Sequence, residues 1–530
     1  MKSLFCTIGL SLVLASSLQI FVQSESSIKK SDLIFVGVFP IHDKNLDTNT
    51  YIDRKCGKIS FPRGIQRTEA MLHAIDRINA DSRLLRGINL KPLLIDSCDQ
   101  ANIAVEGFVQ NALQKIGGPS AEQCSGDNTD DGNDNNVIGG LIGAASSTVS
   151  MELANLMRLF QVPQISYAST SDLLNDRIRY KYFTRTVPPD TQQVNAMLDI
   201  ASEFGWRSFN LFYSEGIYGE SAYEALQQRK SQEFCLIGDF KINDNTNYTY
   251  IHAELDKPWQ DKTQLLILFL SIKHVKLFLN TLPANHNYTI LASESWGNKN
   301  QFLETDHLRK VADGALTFQL RSADTTEFVG YLQGLNATNN ARNKWYSEYL
   351  ESISCLNVTG NHKCGTQIYD VDDKVSYVMD AVYALSYAVD GIYRAKCPSQ
   401  NGVCSEMKSS LGHMVMNELY NITYHSVFGK STLNENGSAN TGYEILRHNT
   451  MGKTMTYESV AVWNGTLYFV SKSFVYYPSQ CSDLCTSNQV RVLKGDYPKC
   501  CYSCQSCGRN RYRVNGKLNS SYWYQRDINA

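Results

Sequence analysis

Short apolar runs alternate with longer segments whose apolar residues recur at helical spacing. "LIFVGVF" (33–39) reads as a buried strand, and "GIQRTEAMLHAIDRINA" (64–80) as a helix with Leu72, Ile75 and Ile78 on one face. "LKPLLID" and "NIAVEGFVQNALQKI" repeat the pair. "NVIGGLIG" is a third strand, followed by a helix over 149–160 and a fourth strand, "VPQISYAS". Such alternation predicts a parallel sheet covered by helices on both faces.

The pattern then restarts. "QVNAMLDIASEFG" is helical, "SFNLFYS" a strand and "GESAYEALQQRKSQ" a helix. "TQLLILFL", "IKHVKLFLNTL" and "YTILAS" follow as strand, helix and strand. Two α/β units in tandem are therefore expected. A later segment, 375–393, puts Val375, Val378, Met379, Val382, Leu385, Val389 and Ile392 at helical spacing and reads as core. "CSGDNTDDGNDNN" (124–136) is acidic and almost without apolar residues, and reads as a surface loop.

At 530 residues the chain is too long for one small core. Its 50 basic and 52 acidic residues nearly balance, with no basic block, which argues against nucleic acid as a partner. The start, "MKSLFCTIGLSLVLASSLQIFVQSES", has Lys2, an apolar stretch and small residues at Val22 and Ser24. It reads as a signal peptide over 1–24, with an uncleaved anchor as the rival. Of fifteen cysteines, Cys6 falls in that segment, eight are spread from Cys56 to Cys404, and six cluster at the end. Export makes disulfides the expected state, against a zinc site built on CxxC. Sequons at Asn247, Asn287, Asn336, Asn357, Asn421, Asn436, Asn464 and Asn519 agree with an exported glycoprotein.

Candidate chemistry begins at "LIGAASSTVS" (141–150), where a strand ends on small residues and a helix opens with Ser146, Ser147 and Thr148. A helix start is a cap site and also an anion site. The next strand ends in "YAST", so Ser169 and Thr170 stand at the same rim, where open α/β sheets bind ligands. Arg63 and Arg67 sit at a helix start, where a cation opposes the dipole by roughly 0.3–1 kcal/mol. A carboxylate ligand would account for them, and so would pairing with Glu69 or a distant acid. Lys374 opens the 375–393 helix just after Asp372 and Asp373. Asp190, Tyr218 and Glu294 lie at expected crevice edges and suit an ammonium group. No GxSxG, HExxH, P-loop or strand-borne GxGxxG occurs, so no enzyme activity is expected.

"RGIQRTEAML", "GAASSTVSMELANLMRLFQVPQISYASTS", "YKYFTRTVPPDTQQVNAMLDI" and "SEGIYGES" together resemble metabotropic glutamate receptors, which are class C G-protein-coupled receptors. "CSDLC" and "CCYSCQSC" resemble the start of their cysteine-rich domain. The resemblance implies a bilobed, periplasmic-binding-protein-like (type I) Venus flytrap that binds an amino acid, most naturally L-glutamate, between closing lobes. By that resemblance Ser147, Ala168 and Thr170 hold the ligand's α-carboxylate. Asp190, Tyr218 and Glu294 receive its α-ammonium, and Arg63, Arg67, Lys299 and Lys374 its distal carboxylate. Glu294 departs from the family's usual aspartate, and Ser271 stands where some members carry glutamate.

The same resemblance implies lobe 1 over 32–187 and 326–447, lobe 2 over 188–325 with closing strands at 448–476, a partial cysteine-rich domain at 481–507, and a divergent tail at 508–530. It implies disulfides pairing Cys56 with Cys98, Cys235 with Cys500, Cys355 with Cys364, Cys397 with Cys404, Cys481 with Cys501 and Cys485 with Cys504. Cys124 is left for an intersubunit bridge, and Cys507 has no partner. No cofactor or metal is expected. The expected partners are an acidic amino acid, a second copy or a related receptor, and a G protein only through a membrane domain not present in these 530 residues. The expected place is the outer face of the plasma membrane. A secreted soluble or decoy form is the alternative.

Overall fold

The computed structural model describes residues 32–44, 56–60, 63–112, 137–229, 234–257, 262–300, 302–352, 371–397, 402–408, 410–471 and, with short gaps, 476–520. The expected signal peptide, the acidic loop with Cys124, the pairing of Cys355 with Cys364, Cys507, the sequon at Asn357 and the end of the tail lie outside these residues. The chain forms two compact units, each from two separate stretches: Met1–Pro188 with Ser322–Asn440, and Pro189–Arg321 with Thr441–Ala530.

In the first unit five strands lie parallel. Their order is Asn89–Asp96, Asp32–Phe39, Val137–Ile142, Gln164–Ser166 and Phe183–Arg185. Ile34, Val36 and Val38 point to one face, where they join Phe108 of helix Ala101–Asn111 and Leu153 and Met157 of helix Ser147–Phe160. The opposite face carries Arg63–Ala80 and Val375–Lys396. Contact there is close: a Cβ on Gly140 would sit 2.7 Å from Leu385. The period-3.6 stripe of the long helix explains its burial, since Val375, Val378, Val382, Leu385 and Val389 are all fully covered.

The second unit repeats this order. Cys235–Ile242, Ser208–Ser214, Leu265–Phe269, Thr289–Ala292 and Leu316–Leu320 are parallel neighbours. Tyr443–Met451, Thr454–Trp463 and Leu467–Phe469 then extend the sheet antiparallel. Residues 443–447, expected with lobe 1, belong here, because Tyr443–Met451 pairs with Leu316–Leu320. Numbered along the chain, the parallel strands of both units run 2-1-3-4-5, which puts a topological switch point between the first and third. The parallel sheets flanked by helices agree with the expected α/β class. Among the described residues no helix is long and apolar enough to cross a membrane.

Five disulfides match the expected pairing: Cys56–Cys98, Cys235–Cys500, Cys397–Cys404, Cys481–Cys501 and Cys485–Cys504. Of the two overlapping CxxC motifs in the terminal cluster, the one at Cys501 and Cys504 has its cysteines in different bridges.

One buried charge bears on stability. Asp380, inside the Val375–Lys396 helix, accepts from Tyr424 Oη at 3.0 Å. Burial lifts its pKa to about 6, against the pull of its hydrogen bonds. A carboxyl whose folded pKa lies above its unfolded value stabilises the fold at low pH, and this contribution is lost as pH rises through about 6. Asp380→Asn therefore raises the melting temperature at pH 7.4, by at most about 3 kcal/mol of stability at 1.36 kcal/mol per pKa unit. The gain over wild type shrinks towards pH 4 in thermal melts across that range.

Candidate functional site

Parallel strands send all their following loops out at one edge. In the first unit that edge collects every candidate residue this unit contributes. Ser146 caps the Ser147–Phe160 helix by accepting from Val149 N at 3.3 Å. Ser147 is thereby released from capping. Its buried Oγ accepts from Ser171 N at 3.3 Å, which uses a lone pair and keeps the hydroxyl proton for another acceptor. Beside it Thr170 is 2 % exposed, and its Oγ1 is buried with no hydrogen-bond partner among the described residues. Such an orphan is rare in a folded protein and calls for an explanation. The Ala168 amide donates to Ser166 Oγ at 3.3 Å.

The cations stand at the same edge. Arg63 opens its helix where Gly64 packs so closely that a Cβ would lie 2.4 Å from Pro40 O. Arg67, one turn on, makes a two-pronged bond to a distant acid: Nε to Asp372 Oδ1 at 2.7 Å and a terminal nitrogen to Oδ2 at 3.0 Å. Its guanidinium also lies 5.6 Å from the Tyr167 ring centre. Burial works against the Arg67 charge, but Asp372 outweighs it and holds the pKa above the usual arginine range. Lys374 Nζ donates to Asp373 Oδ2 at 3.0 Å, with both side chains buried. Burial raises the Tyr167 phenol, while Arg67 and then Arg63 pull it down, so both arginines act on one ring. Among the described residues, Asp372 and Asp373 thus stand against Arg67 and Lys374, with Arg63 beside the same ring. Glu69, the nearby candidate partner, accepts instead from Asn340 and Asn343, each at 2.6 Å, and from Tyr331 at 2.8 Å.

The second unit gathers the acids. Asp190 begins the Asp190–Glu203 helix, where the dipole favours an anion, and is 1 % exposed. Gln193, on the same helix, accepts the Glu294 N–H at 3.4 Å. Tyr218 Oη donates to Ser293 Oγ at 2.9 Å. Burial first, then the Glu294 and Asp190 carboxylates, push the Tyr218 phenol well above its usual value. The three residues therefore form one electrostatic cluster. Lys299 joins it through a 3.3 Å bond from Nζ to the Glu294 carbonyl.

Several partners were not foreseen: Asp372 as the acid that engages Arg67, Tyr167 under Arg67, and Ser293 and Gln193 behind the acids. The doublet in "VDDK" is the one sequence signal that pointed to any of them. A further row was also missed. Ser214 Oγ lies 2.8 Å from His274 Nδ1, and His274 Nε2 lies 3.2 Å from Asp244 Oδ1. It has the order of a nucleophile, base and acid. Ser214 is buried, however, and its Oγ accepts the Ser271 N–H at 2.8 Å, so the row ties a strand end to the next helix.

The buried fork gives a direct test. Asp372→Asn leaves the Arg67 guanidinium without its counter-charge. The expected loss is about 3–5 kcal/mol in urea unfolding, the range for breaking a buried pair from one side.

Residues 66–450 match the model of a family described as "Receptor family ligand binding region". The chain is also 30% identical over 520 residues to metabotropic glutamate receptor 8 of Rattus norvegicus, a match covering 91% of this chain and 56% of that protein. It thus spans about half the length of the curated relative it matches. With most of its length matched in this way, the chain belongs to the receptor family ligand binding region, in a form similar to that of metabotropic glutamate receptors.

Proposed function

We propose that this chain is the extracellular ligand-binding region of a class C receptor and takes L-glutamate or a related acidic amino acid between its two lobes. Closure would drive G-protein signalling where the region is joined to a membrane domain. The observation that carries the reading is the buried Thr170 Oγ1, without a hydrogen-bond partner among the described residues, beside Ser147 at a helix start. Hydroxyl and backbone donors at that place suit an α-carboxylate. The cluster of Asp190, Tyr218 and Glu294 suits an α-ammonium, and the cations Arg63, Arg67 and Lys374 gathered at one edge suit a second carboxylate. Because Asp372 and Asp373 already engage two of those cations, the distal group competes with internal acids. That favours an anionic side chain over a neutral one while limiting the gain.

Calorimetry on secreted protein tests the reading. L-glutamate gives saturable heat and L-glutamine at least tenfold weaker binding. Thr170→Ala and Lys374→Ala each weaken glutamate tenfold or more, about 1.4 kcal/mol. An absence of heat with wild type, or equal affinity for glutamate and glutamine, would sink it.

The reading includes a dimer. Leu159, Ile178, Leu173 and Val109 are 76%, 86%, 46% and 40% exposed on neighbouring parts of the first unit. Tyr180 and Leu174 pack against Ala154, which joins the 173–180 segment to the Ser147–Phe160 helix. Apolar residues grouped in this way suit a partner surface. Leu159→Asp shifts the protein to monomer in sedimentation velocity, with glutamate affinity within threefold of wild type.

A further inference from the structure

Arg185 ends the last parallel strand of the first unit, Phe183–Arg185, and is 0% exposed. A guanidinium is always charged, and burying one is unfavourable by several kcal/mol unless its donors are well placed. Nε donates to Ser438 Oγ at 2.9 Å. One terminal nitrogen donates to two carbonyls, Ser169 O at 3.2 Å and Ser171 O at 2.8 Å. The other donates to Asn175 Oδ1. The backbone is engaged too: Arg185 N donates to Gly437 O at 2.8 Å, and Ala439 N donates to Arg185 O at 3.0 Å. One residue thus fastens the 169–171 turn to the 172–175 turn and to the last stretch of the unit before its boundary at Asn440.

The two carbonyls lie on either side of Thr170. In a trans peptide the C=O and N–H point in opposite directions. The Ser169 carbonyl shares its peptide unit with the Thr170 N–H, so drawing the carbonyl onto the guanidinium turns that N–H away from the cation. The Ser171 carbonyl does the same for the Asp172 N–H. Both peptide dipoles then present their positive ends on the side away from Arg185. Thr170 Oγ1, buried and unpartnered among the described residues, belongs to the same turn.

We propose that Arg185 is a positioning residue for anion binding: its guanidinium orients the 169–171 turn so that Thr170 offers its N–H and Oγ1 together to a carboxylate. It does not touch the ligand. The inference rests on the proposed amino-acid site, and its test separates the two.

Arg185→Lys keeps the charge and loses the fork. In ligand-free protein, hydrogen–deuterium exchange of the peptide covering 168–173 rises tenfold or more, while the Val375–Lys396 helix keeps its protection. An unchanged rate there overturns the proposal whether or not glutamate binds. In the calorimeter Arg185→Lys weakens glutamate tenfold or more. Thr170→Ala, tenfold on its own, then weakens binding less than threefold in the Arg185→Lys background, because the two act through one contact. Fully multiplicative losses overturn the proposal, as a merely structural role would give them. Should Arg185→Lys fail to fold, Asn175→Ala removes one acceptor and leaves the cation. Exchange at 168–173 then rises about threefold, and no rise counts against the proposal. If wild type takes up no glutamate, the ligand reading fails and the exchange arm still decides the role of Arg185.

Discussion

A parallel strand is joined to its parallel neighbour only by a crossover that returns to the starting edge. Every loop that follows a strand therefore leaves from the opposite edge, and the chemistry must gather there. In the first unit this constraint brings together residues far apart along the chain: Arg67 from the helix after the first strand, Ser147 after the third, Thr170 after the fourth, and Lys374 from a helix laid on the same sheet. The second unit obeys the same rule with Tyr218 and Glu294. The 2-1-3-4-5 order recurs in both units, so each gathers its candidate residues at the same kind of edge.

Charge separation is the second theme. Arg63, Arg67 and Lys374 collect in one unit and Asp190 and Glu294 in the other, and each cluster is held by internal partners, Asp372 and Asp373 in the first and Lys299 in the second. The Arg67–Asp372 fork and the Lys374–Asp373 pair keep the basic cluster from carrying three unbalanced charges. Tyr218 sits between burial and two carboxylates and stays a neutral donor. A buried site of one sign is unstable without such brakes, since desolvation penalises each charge.

Much of this was legible from sequence. Strand and helix periods located the repeated α/β pattern, because buried parallel strands are continuous apolar runs. The helix start after "LIG" was legible as a cap and anion site, and the structure assigns the cap to Ser146. The bridges came from family resemblance, since pairing cannot be read from spacing alone. What stayed hidden was long-range pairing. Asp372 lies 305 residues from Arg67, and nothing local marks the two as partners. Glu69 looked the nearer choice, yet its carboxylate is turned into a cage of two asparagines and a tyrosine. Strand Tyr443–Met451 was credited to the wrong unit in part, because apolar alternation does not say which sheet a strand joins. The role of Arg185 was invisible for the same reason, as its partner Ser438 is 253 residues away.

The interleaving of the two units has a consequence for synthesis. Neither unit is a continuous stretch, so neither is complete when its first part leaves the ribosome. The first unit waits for residues 322–440 while the whole first part of the second is made. Cys235 waits longer still, since its partner Cys500 follows 265 residues later. At roughly 5–20 residues per second that is on the order of tens of seconds. During that time the Cys235 thiol must stay unpaired, or be re-paired, while Cys56 and Cys98 are already within reach of each other. Maturation of this chain is thus a problem of order as much as of stability.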